Sequence, residues 1–248
     1  MKNLLSFSMV CLFVLPLIIS SCTTNSETKP QTSEAEKTVV DDQLSLDLGF
    51  ELQSILNAHP EAIGMLLCVE GKGERPNAMV AVGKQQKGGS ALSPNQTVLI
   101  ASNTKTYVSA AILRLTELHD LTINTPIGSI ISAKSAEALT KRGYNLEEIT
   151  VAHLLSHTSG IRDYAVSDQY FEMIKADPKH RWSRDEQINL AMQLGDPLGS
   201  PGWGFSYADV NFLLATEIIE HYTKKEFYTA MRELLKYQEL GLKNSWFY

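Results

Sequence analysis

Ser102 and Lys105 are the residues whose types and spacing most directly suggest chemistry. A serine hydroxyl is a poor nucleophile until a neighbouring group takes its proton. Side chains three residues apart share one face of a helix, so the Lys105 amine can lie beside the Ser102 oxygen. The same S-x-x-K spacing recurs at residues 26–29, but only Ser102 follows an apolar, strand-like run (residues 98–101) and opens an amphipathic helix. The spacing leaves two interpretations open, a catalytic nucleophile and a serine that caps the helix.

Several further segments occur in the order expected for one family of enzymes. Residues 99–106 resemble the nucleophile helix of the class C β-lactamase-like serine hydrolases, which are related to penicillin-binding proteins and D-alanyl-D-alanine carboxypeptidases. Residues 153–161 are similar to the family signature H-L-L-x-H-T-S-G-[IL], and residues 201–212 resemble its segment P-G-x-x-F-x-Y-S-N-x-N-[YF]. Residues 240–247 resemble a later helix exit. The order of these motifs indicates that residues 47–248 are similar to this family.

The resemblance implies a role for each candidate site residue. Ser102 would be the nucleophile, and Tyr207, in the place of the family's Y-x-N tyrosine, would be the general base, with the Lys105 ammonium favouring its phenolate. Asp209 stands where the family usually has Asn. An ionised Asp only accepts hydrogen bonds, whereas an Asn amide also donates them. Asp209 would therefore keep a partner for Lys105 and raise its proton affinity, but weaken any contact with a substrate carbonyl.

The hydrophobic pattern predicts an α/β (α+β) fold in which a strand hairpin is followed by many helices. The predicted elements are a helix over residues 46–58, strands over 63–70 and 78–84, and helices from Ser102 onward, over 149–157, around 212–222 and over 227–235. The resemblance implies a β-lactamase/transpeptidase-like fold, with an antiparallel sheet flanked by helices plus a helical subdomain. Two strands are too few to form that sheet, so we expect the sheet to be incomplete in this chain.

The family's third motif, K-T-G or H-x-G, does not occur after Tyr207. In the family this motif lies on a strand beside the nucleophile, where it binds the substrate carboxylate. We therefore expect the sequence to be C-terminally truncated, with a natural short form as the alternative, and the 248-residue chain to be unable to turn over substrate by itself.

The N-terminal residues predict export and attachment to a membrane. Residues 1–22 combine an early lysine, a short apolar run and small residues before Cys22, a pattern that resembles a bacterial lipoprotein signal peptide. Residues 23–46 are polar and predict a flexible tether, and residues 47–248 form the partial hydrolase domain. The expected location is the bacterial cell envelope, with the chain anchored through lipid on Cys22. An ordinary signal peptide with an incidental cysteine is the alternative.

Other chemistries are disfavoured by the residues present. His153 and His157 are four apart, but a zincin needs Glu after the first histidine and this chain has Leu154, so no metal is expected. In the resemblance both histidines belong to a helix and turn that support the site, as packing or hydrogen-bonding residues.

A net charge of −6 without a basic cluster argues against nucleic acid as a partner. No cofactor is expected, and Cys68 is predicted to be an inert thiol in a buried strand.

The resemblance therefore implies a serine hydrolase that forms an acyl-enzyme on Ser102. Its substrate would be an amide or ester of the D-alanyl peptide, β-lactam or small ester class. The alternative is a catalytically inactive, lipid-anchored binding protein, or a non-functional truncated product, that keeps the penicillin-binding fold.

The lipidation site can be tested by substitution. Cys22→Ala should abolish incorporation of a radiolabelled fatty acid and release the chain from the membrane fraction, because stable anchoring requires the acyl chains. Cys11→Ala, inside the signal segment, is the control and should label normally. Recovery of the unsubstituted chain as a soluble, unlipidated protein would contradict the lipoprotein prediction.

Overall fold

The computed structural model describes residues 42–71 and 77–247, and the chain divides into two compact units, residues 1–96 and 97–248. The predicted lipidation site Cys22, the signal segment and most of the tether lie outside the described residues. Within the described part, no helix has the length and apolar character needed to cross a bilayer.

The first unit packs a helix on a strand hairpin. It comprises α1 (Asp42–Ala58), β1 (Gly64–Val69) and β2 (Ala78–Gly83). The strands pair antiparallel with Gly64 opposite Gly83 and Val69 opposite Ala78. Helix α1 packs on β2, and Leu56, Ala78 and Val80 are buried. These elements agree with the predicted helix and hairpin, although α1 begins four residues before the predicted position 46.

The prediction that Cys68 is buried was wrong. Successive side chains of a strand point to opposite faces, and directly opposed residues of two strands share a face. Cys68 lies opposite Met79, and both are exposed. The apolar run in β1 gave no alternation from which to choose the exposed face.

The second unit is helical. After a 3₁₀ turn (Ala101–Asn103) it contains α2 (Thr104–Leu118), α3 (Ala133–Lys141), α4 (Val151–Leu155), α5 (Asp168–Ala176), α6 (Arg184–Gln193), α7 (Asp209–Thr223) and α8 (Phe227–Leu234). Helix α7 is central, because it packs against α2, α4, α6 and α8. Its buried apolar side chains cover most of the helix surface, as expected for a helix that is surrounded by others.

Several predicted elements changed in the structure. The strand-like run at residues 98–101 forms no strand, and the predicted helix over 149–157 contracts to the five residues of α4. Thr150 caps α4 by accepting the His153 N–H, which fixes where the helix begins. Helices α3, α5 and α6 were not predicted. Each begins after a capping serine that accepts an amide N–H: Ser132, Ser167 and Ser183.

A buried carboxylate ties α3 to α7. Glu217 is 5% exposed and accepts hydrogen bonds from the Ser132 N–H at 2.9 Å and from Ser135 Oγ at 2.7 Å. Arg184 Nη1 lies 3.8 Å from the same carboxylate and 2.7 Å from Glu220. A buried charge is tolerated when it is paired and hydrogen-bonded, and Glu217 meets both conditions.

Removal of this carboxylate should destabilise the second unit. Glu217→Ala should cost roughly 2–4 kcal/mol of unfolding free energy, because buried donors at the start of α3 lose their acceptor. Thermal and urea denaturation would measure the change. The control is Glu239→Ala, whose carboxylate is 67% exposed and pairs with Lys236, and its change should stay within about 0.5 kcal/mol. Equal stability of the two variants would contradict the structural role of Glu217.

Candidate active site

Ser102 is presented by a strained turn at the start of α2. The residue lies in the 3₁₀ turn and is exposed. Ala101, immediately before it, has φ = 45°, a left-handed conformation that costs a residue with a Cβ roughly 1–3 kcal/mol. The turn leads directly into the first turn of α2, at the positive end of the helix dipole. The chain therefore places the hydroxyl where negative charge is favoured.

Lys105 and Tyr207 both contact the Ser102 oxygen. Lys105 Nζ lies 3.3 Å from Ser102 Oγ, and the Tyr207 hydroxyl donates a hydrogen bond to that oxygen at 2.9 Å. Lys105 comes from the first turn of α2, whereas Tyr207 comes from the segment just before α7. The Lys105 ammonium also lies 5.0 Å from the centroid of the Tyr207 ring. The structure thus brings together the three residues that the sequence singled out.

Asp209, the fourth predicted site residue, binds Lys105. Its Oδ1 lies 2.6 Å from Lys105 Nζ, and the Lys105 side chain is only 18% exposed. Asp209 is the first residue of α7, where a carboxylate is favoured by the helix dipole. Its backbone N–H donates to Asp163 Oδ1 at 3.0 Å. The carboxylate thus belongs to the cluster, although it does not itself contact Ser102.

Electrostatics keep Lys105 protonated. Burial alone would lower the pKa of its amine, but the hydrogen bonds to Asp209 and Tyr207 and the charge of Asp209 outweigh burial and raise the pKa. This direction agrees with the expectation from the Asp209 carboxylate. A lysine with a raised pKa holds its proton at neutral pH, so Lys105 contributes a positive charge to the cluster.

Asp163 is a neighbour that the sequence did not reveal. Burial raises the pKa of its carboxyl group, although hydrogen bonds from the backbone N–H groups of Asp209 and Ala165 oppose that shift. The residue lies just after the H-T-S-G segment, in a stretch without helical or strand periodicity. Only the fold brings it to the first residue of α7.

The H-T-S-G segment supports the loop that carries Tyr207. Three backbone hydrogen bonds join residues 157–160 to residues 198–206, with Gly202 N–H donating to Thr158 O at 2.8 Å. Gly160 has φ = 74°, and a Cβ there would lie 2.3 Å from the Gly199 carbonyl oxygen. This position therefore requires glycine.

The prediction that both histidines of this segment pack or form hydrogen bonds is confirmed. His153 Nδ1 lies 3.1 Å from the Thr150 N–H, and His157 contacts Tyr207 and Ala208. Among residues 42–71 and 77–247, no cluster of three or more His, Cys, Asp or Glu side chains could hold a metal ion.

Comparison with known proteins places this arrangement in a family. A model of the beta-lactamase family matches residues 52–248. Protein flp of Staphylococcus aureus strain COL is 30% identical over 138 residues, which are 54% of this chain and 25% of that protein. The chain thus aligns with about a quarter of this curated relative.

Solved structures share the fold at low sequence identity. D-amino acid amidase from Ochrobactrum anthropi SV3 in complex with L-phenylalanine matches this chain with a TM-score of 0.62 and 22% sequence identity. The match covers 81% of this chain and 54% of the amidase chain. The penicillin-binding protein from Bacillus halodurans has a TM-score of 0.57 and 23% identity, over 77% of this chain and 53% of its own. The chain therefore spans about half the length of these structures.

These findings confirm the predicted β-lactamase/transpeptidase-like fold, and the two-stranded sheet agrees with the expectation of an incomplete sheet. The family model also spans every residue of the Ser102 cluster. We conclude that the chain belongs to the beta-lactamase family.

Proposed function

We propose that this protein is a serine hydrolase that forms an acyl-enzyme on Ser102. The observation that carries the proposal is the convergence of Lys105 Nζ and the Tyr207 hydroxyl on Ser102 Oγ, at 3.3 and 2.9 Å. A nucleophile within hydrogen-bond reach of a candidate base, with a third charged group beside both, is the arrangement that nucleophilic catalysis requires. Family membership supports the same reaction class.

In the proposed acylation step, Tyr207 first loses its own proton to solvent water, and the resulting phenolate then takes the Ser102 proton. Ser102 Oγ then bonds to the substrate carbonyl carbon, and the C=O π electrons move to the carbonyl oxygen. When this oxyanion collapses, the bond to the leaving nitrogen or oxygen breaks and Tyr207 returns the proton to the leaving group. The Lys105 ammonium stabilises the phenolate before Tyr207 takes the Ser102 proton and after Tyr207 gives it up, which is the role that the raised pKa of Lys105 permits.

Deacylation uses the same groups on a water molecule. Water gives a proton to Tyr207 and attacks the Ser102 ester, and the Ser102 oxygen leaves and regains its proton. The dipole at the start of α2 favours the negative charge that develops beside Ser102 in both steps.

We propose amides or esters of the D-alanyl peptide, β-lactam or small ester class as substrates. The support is that similarly folded proteins include a D-amino acid amidase, a D-stereospecific amidohydrolase and a penicillin-binding protein. We further propose that Cys22 anchors the chain in the cell envelope, on the grounds of its lipoprotein-like signal.

A second candidate function is a catalytically inactive binding protein that retains the fold. The observation that favours it is the Lys105–Asp209 ion pair, because the carboxylate partly cancels the positive charge that would stabilise a Tyr207 phenolate. Covalent capture by a fluorophosphonate or a labelled penicillin separates the two functions, since only the hydrolase is labelled.

Substitutions of the three converging residues test the hydrolase proposal. Ser102→Ala should abolish covalent labelling by a fluorophosphonate. Tyr207→Phe should slow labelling by roughly 10²- to 10⁴-fold, the usual range for lost acid–base assistance, and Lys105→Ala should slow it by a similar factor because the Tyr207 phenolate loses its neighbouring positive charge. Matched controls are Ser109→Ala on the same helix, Lys134→Ala and Tyr228→Phe, all expected to label like the unsubstituted chain. Labelling that persists in Ser102→Ala would show that another residue is the nucleophile.

The role of Asp209 can be tested by restoring the family's residue. Asp209→Asn removes the carboxylate that opposes the desolvation of Lys105, so the lysine pKa should fall and the pH profile of labelling should move down by about one unit. Asp168→Asn is the control, because Asp168 is likewise the first residue of a helix, α5, but is exposed and away from the cluster. An unchanged profile in Asp209→Asn would show that the carboxylate does not tune Lys105.

A further inference from the structure

The His157 side chain packs directly against the ring of Tyr207. The two ring centroids are 4.3 Å apart and the planes are inclined by 26°, a stacked arrangement. Phe212 and Phe205 cover other sides of the imidazole, with centroids at 5.3 and 6.0 Å. His157 is only 8% exposed, whereas Tyr207 is 43% exposed. The exposed phenol ring of Tyr207 therefore packs on the buried imidazole ring of His157.

His157 also holds the backbone on both sides of Tyr207. Its carbonyl oxygen accepts the Ser206 N–H at 2.9 Å, and its Nδ1 accepts the Ala208 N–H at 3.1 Å. The two residues that flank Tyr207 are therefore bound to one residue. His157 itself is fixed in an unusual left-handed conformation, with φ = 56°.

These contacts determine which nitrogen carries the imidazole proton. Nδ1 faces two donors, the Ala208 N–H and Asn211 Nδ2, the latter at 3.2 Å. Asn211 is fully buried, and its Oδ1 accepts from Ser159 Oγ at 2.6 Å, which orients its amide nitrogen toward the histidine. Both contacts require an unprotonated Nδ1, so the proton of the neutral ring lies on Nε2. If Nδ1 carried a proton, it would be a donor that faces two other donors, and neither hydrogen bond could form.

We infer that His157 is the positioning residue for Tyr207, and that it holds the phenol against Ser102 only while its Nδ1 is unprotonated. Protonation of Nδ1 breaks the contact to Ala208 and releases the segment that carries Tyr207. The inference rests on the proposed function for its catalytic consequence, but the structural part concerns His157 and Ala208 alone.

The charges around His157 favour its neutral form. The ionisable groups that face the ring are Lys105 from α2, Asp209 from α7 and Tyr207 from the segment before α7. Burial and, secondarily, the Lys105 charge lower the pKa of His157, while the Asp209 charge opposes that shift less strongly. The pKa of His157 is lower in the folded chain than in the unfolded chain. At pH values between these two pKa values, the unfolded chain therefore binds more protons than the folded chain. Stability is therefore full above the ordinary histidine pKa and falls as pH decreases through that interval.

Two substitutions separate the acceptor of His157 from its ring. His157→Phe keeps an aromatic surface under Tyr207 but removes the acceptor, so fluorophosphonate labelling should slow about 10²-fold, the effect of displacing a reacting group by about 1 Å. His157→Asn places a carbonyl oxygen near the position of Nδ1 and cannot titrate. It should recover at least tenfold of that loss and lack the decrease in rate that the unsubstituted chain shows as pH falls through the lowered pKa of His157. His119→Phe, at an exposed histidine, is the control and should change neither rate nor profile.

A second readout does not depend on catalysis. Nitrogen-15 spectra of the unsubstituted chain should show an unprotonated Nδ1 and a protonated Nε2 at neutral pH. On acidification, the Ala208 amide signal should shift with the same midpoint as the His157 imidazole. Failure of the unsubstituted chain to label would reject the proposed hydrolase but leave this coupling to be measured.

Two results would overturn the inference. The first is a proton on Nδ1 at neutral pH, and the second is an Ala208 signal that does not follow the imidazole. If the unsubstituted chain does label, two further results would exclude an acceptor role for His157. One is that His157→Phe labels at the rate of the unsubstituted chain, and the other is that His157→Asn labels as slowly as His157→Phe.

Discussion

A 2.6 Å ion pair between Lys105 and Asp209 joins the first turns of α2 and α7, two helices that pack against each other in the second unit. Ser102 lies one helical turn before Lys105, and Tyr207 lies two residues before Asp209. The ion pair therefore fixes the distance between the two segments that carry the remaining site residues. Val210 and Phe212, the first apolar residues of α7 after Asp209, are buried in the close-packed core, which holds the start of this helix in place.

The residues of the cluster were predictable from sequence, but their supports were predictable only in part. Ser102 and Lys105 follow from the spacing of residues on a helix, and Tyr207 and Asp209 follow from a motif match. The acceptor role of His157 and the proximity of Asp163 arise from contacts between segments far apart in sequence. A pattern within one segment carries no information about such contacts.

The errors in the fold prediction have separate physical causes. Helices α3, α5 and α6 are short and begin at capping serines, so their apolar periodicity covers too few turns to be distinctive. The apolar residues at 98–101 suggested a strand, yet strand formation depends on a partner strand as well as on propensity. Cys68 was misplaced because a uniformly apolar strand does not indicate which of its faces is covered.

The hydrogen bonds at Ser102 have a consequence for the order of events in the proposed acylation. A serine oxygen has two lone pairs, and here Lys105 and Tyr207 each donate to that oxygen. In this resting arrangement neither lone pair is free to attack a carbon atom. The Tyr207 contact must first reverse its direction, so that the phenol oxygen accepts where it now donates. In the proposed acylation, loss of the Tyr207 proton must therefore precede bond formation by Ser102.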